Sequence, residues 1–221
     1  MPRYCQSLSI KICLLILLLE IVPSIYCQGQ NNAPLDISPK LQQFLTDHPA
    51  ASKALFSALS EAFGRRTVRI YYFYSSDESA AKADHLYPDK NTVWIRIREN
   101  QLPGDECICL IFEMLNSEGE QHFIELNEKA KTKQISRNDF ATDMMQQEFV
   151  AVKKTRDLIK SFDLNQKEKE ESYYYNRLVQ APDDFNEFLI YIAKVSPKRA
   201  QFADYEKYYD SLGGKPEAGK P

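Results

Sequence analysis

The chain has 221 residues, 43% hydrophobic and 27% charged, a globular composition rather than a disordered one. Against 31 acids stand 28 lysines and arginines, and the net charge of -3 lacks the basic surplus of an electrostatic nucleic-acid binder. Glycine is scarce at 7 residues, and neither GxGxxG nor GxxxxGK occurs, which argues against glycine-rich phosphate loops.

The N-terminal segment reads as an address. Arg3 and Lys11 precede an apolar run over 12–19, Glu20 interrupts it, and a polar stretch begins at Gln28. This is the layout of a secretory signal peptide over 1–27, followed by a linker over 28–34. The run is too short to span a bilayer comfortably as a helix. The expected location is therefore secreted or periplasmic, with no membrane span in the mature form; the alternative is anchoring by an uncleaved N-terminal segment. Cleavage after Cys27 would leave Cys107 and Cys109 as the remaining cysteines, so no disulfide framework is expected. Both read as buried apolar residues.

Downstream, Ser38-Pro39 supplies an N-cap and a first-turn proline, and Leu41, Phe44 and Leu45 give a short helix that ends near His48-Pro49. A second helix over 50–63 carries Leu55 and Leu59 on one face. Residues 67–74 are rich in β-branched and aromatic side chains and predict a strand. Residues 91–98 alternate, with Val93, Ile95 and Ile97 on one face and Trp94, Arg96 and Arg98 on the other, which predicts a half-exposed strand.

Pro103-Gly104-Asp105 opens a largely buried helix through Cys107 and Leu115, and a further helical stretch carries Phe123, Leu126 and Ala130. Ser136, with Asp139 three residues on, caps a long helix to about residue 162. Residues 163–177 read as a solvated helix end or linker, and Pro182 starts an amphipathic helix with Phe185, Phe188, Leu189 and Ile192. The pattern predicts one α+β, mostly helical domain over 35–195, with helices packed on a two- or three-stranded sheet, and a partly disordered C-terminal tail over 196–221.

The order of strand, exposed strand, buried helix and downstream helix, with the turn and strand of residues 83–98, resembles the edge strand and active-site helix of zincin metallopeptidases. In that family the helix carries HExxH, whose two histidines bind zinc while the glutamate polarises water. The matching stretch here is Phe112-Glu113-Met114-Leu115-Asn116: the glutamate is present and both histidines are replaced. The longer pattern HExxHxxGxxH is met at Glu113, Gly119 and His122. The resemblance implies a zincin-like fold with an eroded site and no metal or other cofactor.

Glu106, Glu113, Ser117 and Glu120 fall on one helical stripe, which reads either as the solvated face of an amphipathic helix or as the lining of a cleft. Glu148 sits on the apolar face of the long helix, four residues from Met144 and from Val152, where a carboxylate needs a partner. It resembles the downstream glutamate ligand of glutamate-type zincins, and it also reads as a structural carboxylate satisfied by Arg, Tyr or backbone. Its helix is expected to pack on the 107–115 helix and turn Glu148 toward Glu113 and Asn116. His48, His85 and His122 are scattered and read as surface or capping residues. No GxSxG elbow is present, and the cysteines have no histidine beside them in sequence.

The expected function is that of an exported non-catalytic protein with a degenerate peptidase-like domain that binds a peptide or protein. The remnant site would comprise Glu113, Asn116 and Glu148, with His122 as a further candidate. Two alternatives stand beside it: an active hydrolase with a non-standard site, and a secreted structural or interaction protein of unrelated descent.

Overall fold

The computed structural model describes residues 36–63, 67–74, 83–89, 92–195 and 201–213. The segments expected to be a signal peptide, 1–27, and a linker, 28–34, lie outside the described residues, as do residues 196–200 and the chain from 214.

Helix α1, Pro39–Asp47, starts where Ser38 accepts from the backbone N–H of Leu41 at 3.1 Å, and buries Leu41, Phe44 and Leu45. Helix α2, Pro49–Phe63, follows after one residue and buries Ala51, Ala54, Leu55, Ala58 and Leu59, the one-face spacing of an amphipathic helix. Three strands come next: β1, Thr67–Phe73; β2, Ala83–Asp89; and β3, Thr92–Arg98. Their spatial order is β1-β3-β2, with β1 parallel and β2 antiparallel to the central β3. The register between β2 and β3 shifts between Leu86 and Asp89, next to Pro88, as befits an edge strand that cannot donate at every position.

Helix α3, Pro103–Asn116, occupies the centre. It packs against α1, α2, β2 and β3, and its residues from Cys107 to Ile111, with Met114 and Leu115, are buried. A turn of 3-10 helix, Ser117–Gly119, leads into α4, Glu120–Lys131. Helix α5, Arg137–Ile159, is capped by Ser136 as the sequence predicts and packs along α3. Residues 163–177, read as a solvated helix end or linker, form two short helices, α6, Gln166–Glu171, which buries no residue, and α7, Tyr173–Val179. Asn165 and Glu168 form a capping box at α6, and Ser172 caps α7. Helix α8, Phe185–Val195, starts where Asp184 accepts from the N–H groups of Asn186 and Glu187, and Phe188 docks on Phe149.

The mostly helical α+β class with a small three-stranded sheet is thus observed. The C-terminal boundary of the domain extends beyond 195, because Gln201–Ser211 forms a helix, α9, that packs on α5. Tyr209 of α9 is buried with Leu126, Ala130, Phe140 and Met144 in a cluster separate from the main core. Aromatic residues placed among acids and lysines supply this contact, and their sparse spacing hides it in the composition. No helix among the described residues is long and apolar enough to cross a membrane.

Candidate functional site

Three acids on α3 are buried rather than solvated: Asp105, Glu106 and Glu113. Each is met by a partner from a distant part of the chain. Asp105 accepts from the Ser172 hydroxyl at 2.6 Å and from the N–H of Tyr174 at 3.0 Å, so it caps α7 from outside that helix. Glu106 accepts from the Tyr72 hydroxyl at 2.5 Å and from the Ser38 hydroxyl at 3.0 Å. Burial pushes the Glu106 carboxyl above the usual carboxylate range, against the pull of the Tyr72 and Ser38 hydrogen bonds. Burial and the Glu106 carboxylate push the Tyr72 phenol up as well.

Glu113 meets His85. The imidazole Nδ1 lies 2.7 Å from Glu113 Oε2, and the two side chains are 12% and 8% exposed. Edge strand β2 delivers the histidine: His85 stands opposite Ile95 in register, on the face of the sheet that turns to α3. The reading of His85 as a surface or capping residue is therefore corrected, whereas His48 does cap α1, its backbone N–H donating to the Phe44 carbonyl. His48 is equally sheltered and bridges Glu168 at 3.0 Å and Asp163 at 3.6 Å. The reading of the Glu106, Glu113, Ser117 and Glu120 stripe as a solvated face is corrected at its first three members, which are buried, while Glu120 is half-buried. Helical periodicity shows which residues share a stripe, whereas the burial of that stripe depends on strands and helices that periodicity does not place.

Glu148 is buried on α5 and accepts from the Tyr205 hydroxyl and the Gln201 amide, both on α9. Burial pushes the Tyr205 phenol well above its usual range, and the Glu148 and Glu113 charges add to the effect. Both carboxylates therefore act on one phenol, and the helices that carry them pack together. Asn116, one turn beyond Glu113's side of α3, is 9% exposed, and its side-chain oxygen has no hydrogen-bond partner. Phe112 is partly buried against the main core. His122 lies on α4, and among the described residues no hydrogen bond or ion pair is seen between it and Glu113 or Glu148. His85, Tyr205 and Gln201 are the members of this polar cluster that sequence reasoning missed. The one sequence signal for them was the demand of Glu113 and Glu148 for partners.

The cluster can hold a proton between an imidazole and a carboxylate at His85–Glu113, and it keeps a second carboxylate under two hydrogen-bond donors at Glu148. Among the described residues no group of three or more His, Cys, Asp or Glu is arranged to hold a metal ion. The two described cysteines, Cys107 and Cys109, are buried; Cys109 donates to the Gln101 side-chain oxygen, and burial pushes the Cys107 thiol up, away from a nucleophilic thiolate. No family model matches the chain, and neither a curated protein nor a solved structure matches it.

Proposed function

We propose that this is an exported, non-catalytic protein with a degenerate zincin-like domain that binds a peptide or protein segment. The observation that carries the reading is Glu113 on the buried helix α3, held by His85 from the antiparallel edge strand β2. An edge strand beside a sheltered polar cluster suits an extended ligand, which can pair its backbone with the strand.

Zinc does not fit the residues present. Phe112 offers no donor atom, Asn116 presents a buried amide oxygen in place of an imidazole, and Glu113 is already engaged by His85. Glu148 is occupied by Tyr205 and Gln201. A carboxylate bound in this way is a structural or recognition group rather than a free base for water.

The test uses the full chain, immobilised and exposed to peptides from partly digested casein. Retention of intact peptides, insensitive to chelator, is the expected result. Absence of retention overturns the proposal. Cleavage that Glu113→Gln abolishes overturns it in favour of an active hydrolase, in which His85 and Glu113 would act as an acid–base pair.

A further inference from the structure

We infer that the outer face of the sheet is a docking surface for an anionic polysaccharide. The sheet turns Val93, Ile95 and Ile97 inward, all fully buried. The register then assigns the opposite face: Arg69 beside Trp94 and Leu86 in one row, Tyr71 beside Arg96 in the next, and Phe73 beside Arg98 in the third. Cations and rings alternate from strand to strand. Tyr71 is 40% and Leu86 42% exposed, and Arg69 and Arg96 are exposed as well.

The charge on this face is unusual for the molecule. The chain as a whole is acidic, at -3, yet three of its arginines stand in three successive rows here. By register Asp84 lies opposite Arg96 and Asp89 opposite Thr92. Arg96 and Arg98 are also engaged within the fold, and the proposal asks most of Arg69. All three cations are guanidinium groups, whose planar fork pairs two donors with a sulfate or carboxylate. Strand spacing sets neighbouring arginine backbones about 7–8 Å apart, a stride comparable to the repeat of charged groups on an extended sugar chain.

The rings decide between polyanions. Tyr71 and Trp94 are locked edge to face, with centroids 5.3 Å apart and planes at 64°. Two rings so fixed cannot both lie flat under successive bases, as a single-stranded nucleic acid requires. One ring face beside a guanidinium suits the apolar face of a single sugar ring with its anionic substituent. A lipid surface is less well matched, because Leu86 is the one large aliphatic side chain exposed among the described residues of the sheet.

Trp94 is the chain's one tryptophan, so its fluorescence reports on this face directly. A heparin decasaccharide titrated into the full-length protein at low salt is expected to give a saturable change in tryptophan emission. The midpoint should weaken as salt rises, and Arg69→Glu should weaken it by about tenfold. Circular dichroism verifies that the variant folds; if it does not, Arg69→Gln is read in its place, with a smaller loss expected. Absence of a saturable change, or a midpoint that both Arg69 variants leave unaltered, overturns the inference. Tighter binding of oligothymidylate, or of phosphatidylserine vesicles, than of heparin overturns the choice of partner.

Discussion

The hydroxyl of Tyr205 donates to the carboxylate of Glu148, tying α9 to α5 across 57 residues of sequence. Gln201 donates to the same carboxylate from one turn earlier in α9. The C-terminal helix is thus fastened at its polar end by Glu148 and at its other end by Tyr209, buried on Phe140.

Tyr205→Phe should therefore cost about 1–3 kcal/mol, because it leaves a buried carboxylate short of a donor. Glu148→Gln keeps the shape but turns one acceptor into a donor facing Tyr205 or Gln201. It should destabilise by about 1–2 kcal/mol, rather than be neutral as relief of carboxylate repulsion alone would give. The phenol of Tyr205 is raised in the folded state, so the folded protein binds this proton more tightly than the unfolded chain. The associated stability is complete below the ordinary value of 10.0 and is lost as pH rises above it. Urea denaturation at about pH 7 and about pH 11 should show a shallower alkaline loss in Tyr205→Phe than in the parent. Tyr72 and Tyr191 are also raised, so the variant's profile should be flatter but not flat.

Glu106 predicts the opposite lever. Burial raises its carboxyl above the ordinary 4.5, so between that value and the folded one the native state holds a proton that the unfolded state releases. Stability contributed by this group is present at acid pH and falls as pH rises through the folded value. Glu106→Gln can still accept from Tyr72 and can donate to Ser38. At neutral pH it should change stability by no more than about 1 kcal/mol, in the stabilising direction or near zero. Toward about pH 4 the parent should gain on the variant. Thermal melts across that range check the crossing; a variant that loses stability at neutral pH and keeps the same deficit in acid would refute the assignment.

Much of the fold was legible in the sequence, because its signals are local. Ser38-Pro39 and Ser136 announce helix starts, and the alternation of Val93, Ile95 and Ile97 announces a strand with one face buried. Glu148 on an apolar stripe announced a buried carboxylate in need of partners, and a tyrosine and a glutamine of α9 meet it. The partners themselves were not legible. His85 reaches Glu113 across 28 residues, and Ser172 reaches Asp105 across 67, through contacts that no short-range pattern encodes. The run of charges after residue 163 read as a solvated helix end or linker because α6 buries no residue and is held by its capping box and by His48.

Asp105 makes a sharp case of such a non-local contact. It accepts from the Ser172 hydroxyl and from the first N–H groups of α7, and so serves as a cap supplied by another helix. Asp105→Ala should cost about 1–2 kcal/mol, within the range of a lost helix cap, and more if the buried Ser172 is left without a partner. Ser172→Ala combined with Asp105→Ala should cost less than the sum of the single changes, since both remove the same hydrogen bond. A double-mutant cycle by chemical denaturation measures the coupling, and strict additivity would show that the two residues act independently.

The proposed relation to zincins makes a constructive prediction. Histidines four apart on a helix lie on one face, and in HExxH they flank the glutamate that serves catalysis. Phe112→His with Asn116→His would rebuild that pair around Glu113, on a helix that already packs against the one carrying Glu148. Asn116 is a favourable site for the change, because its buried amide oxygen has no hydrogen-bond partner to lose. Without metal the double variant should be less stable than the parent, by about 1–3 kcal/mol, since imidazoles replace a packed phenyl ring and a small amide. With zinc in excess it should recover that loss, because a ligand bound only by the folded state raises stability in proportion to the logarithm of its concentration over its dissociation constant. Stoichiometric zinc by metal analysis, and a zinc-dependent rise in melting temperature absent from the parent, are the expected outcomes. Glu148→Ala added to the double variant should weaken zinc binding by about 10-fold or more if Glu148 leaves Tyr205 to become the third ligand. If the double variant folds yet takes up no more zinc than the parent, α3 and α5 do not stand as the two ligand helices of a zincin, and the proposed descent fails with it.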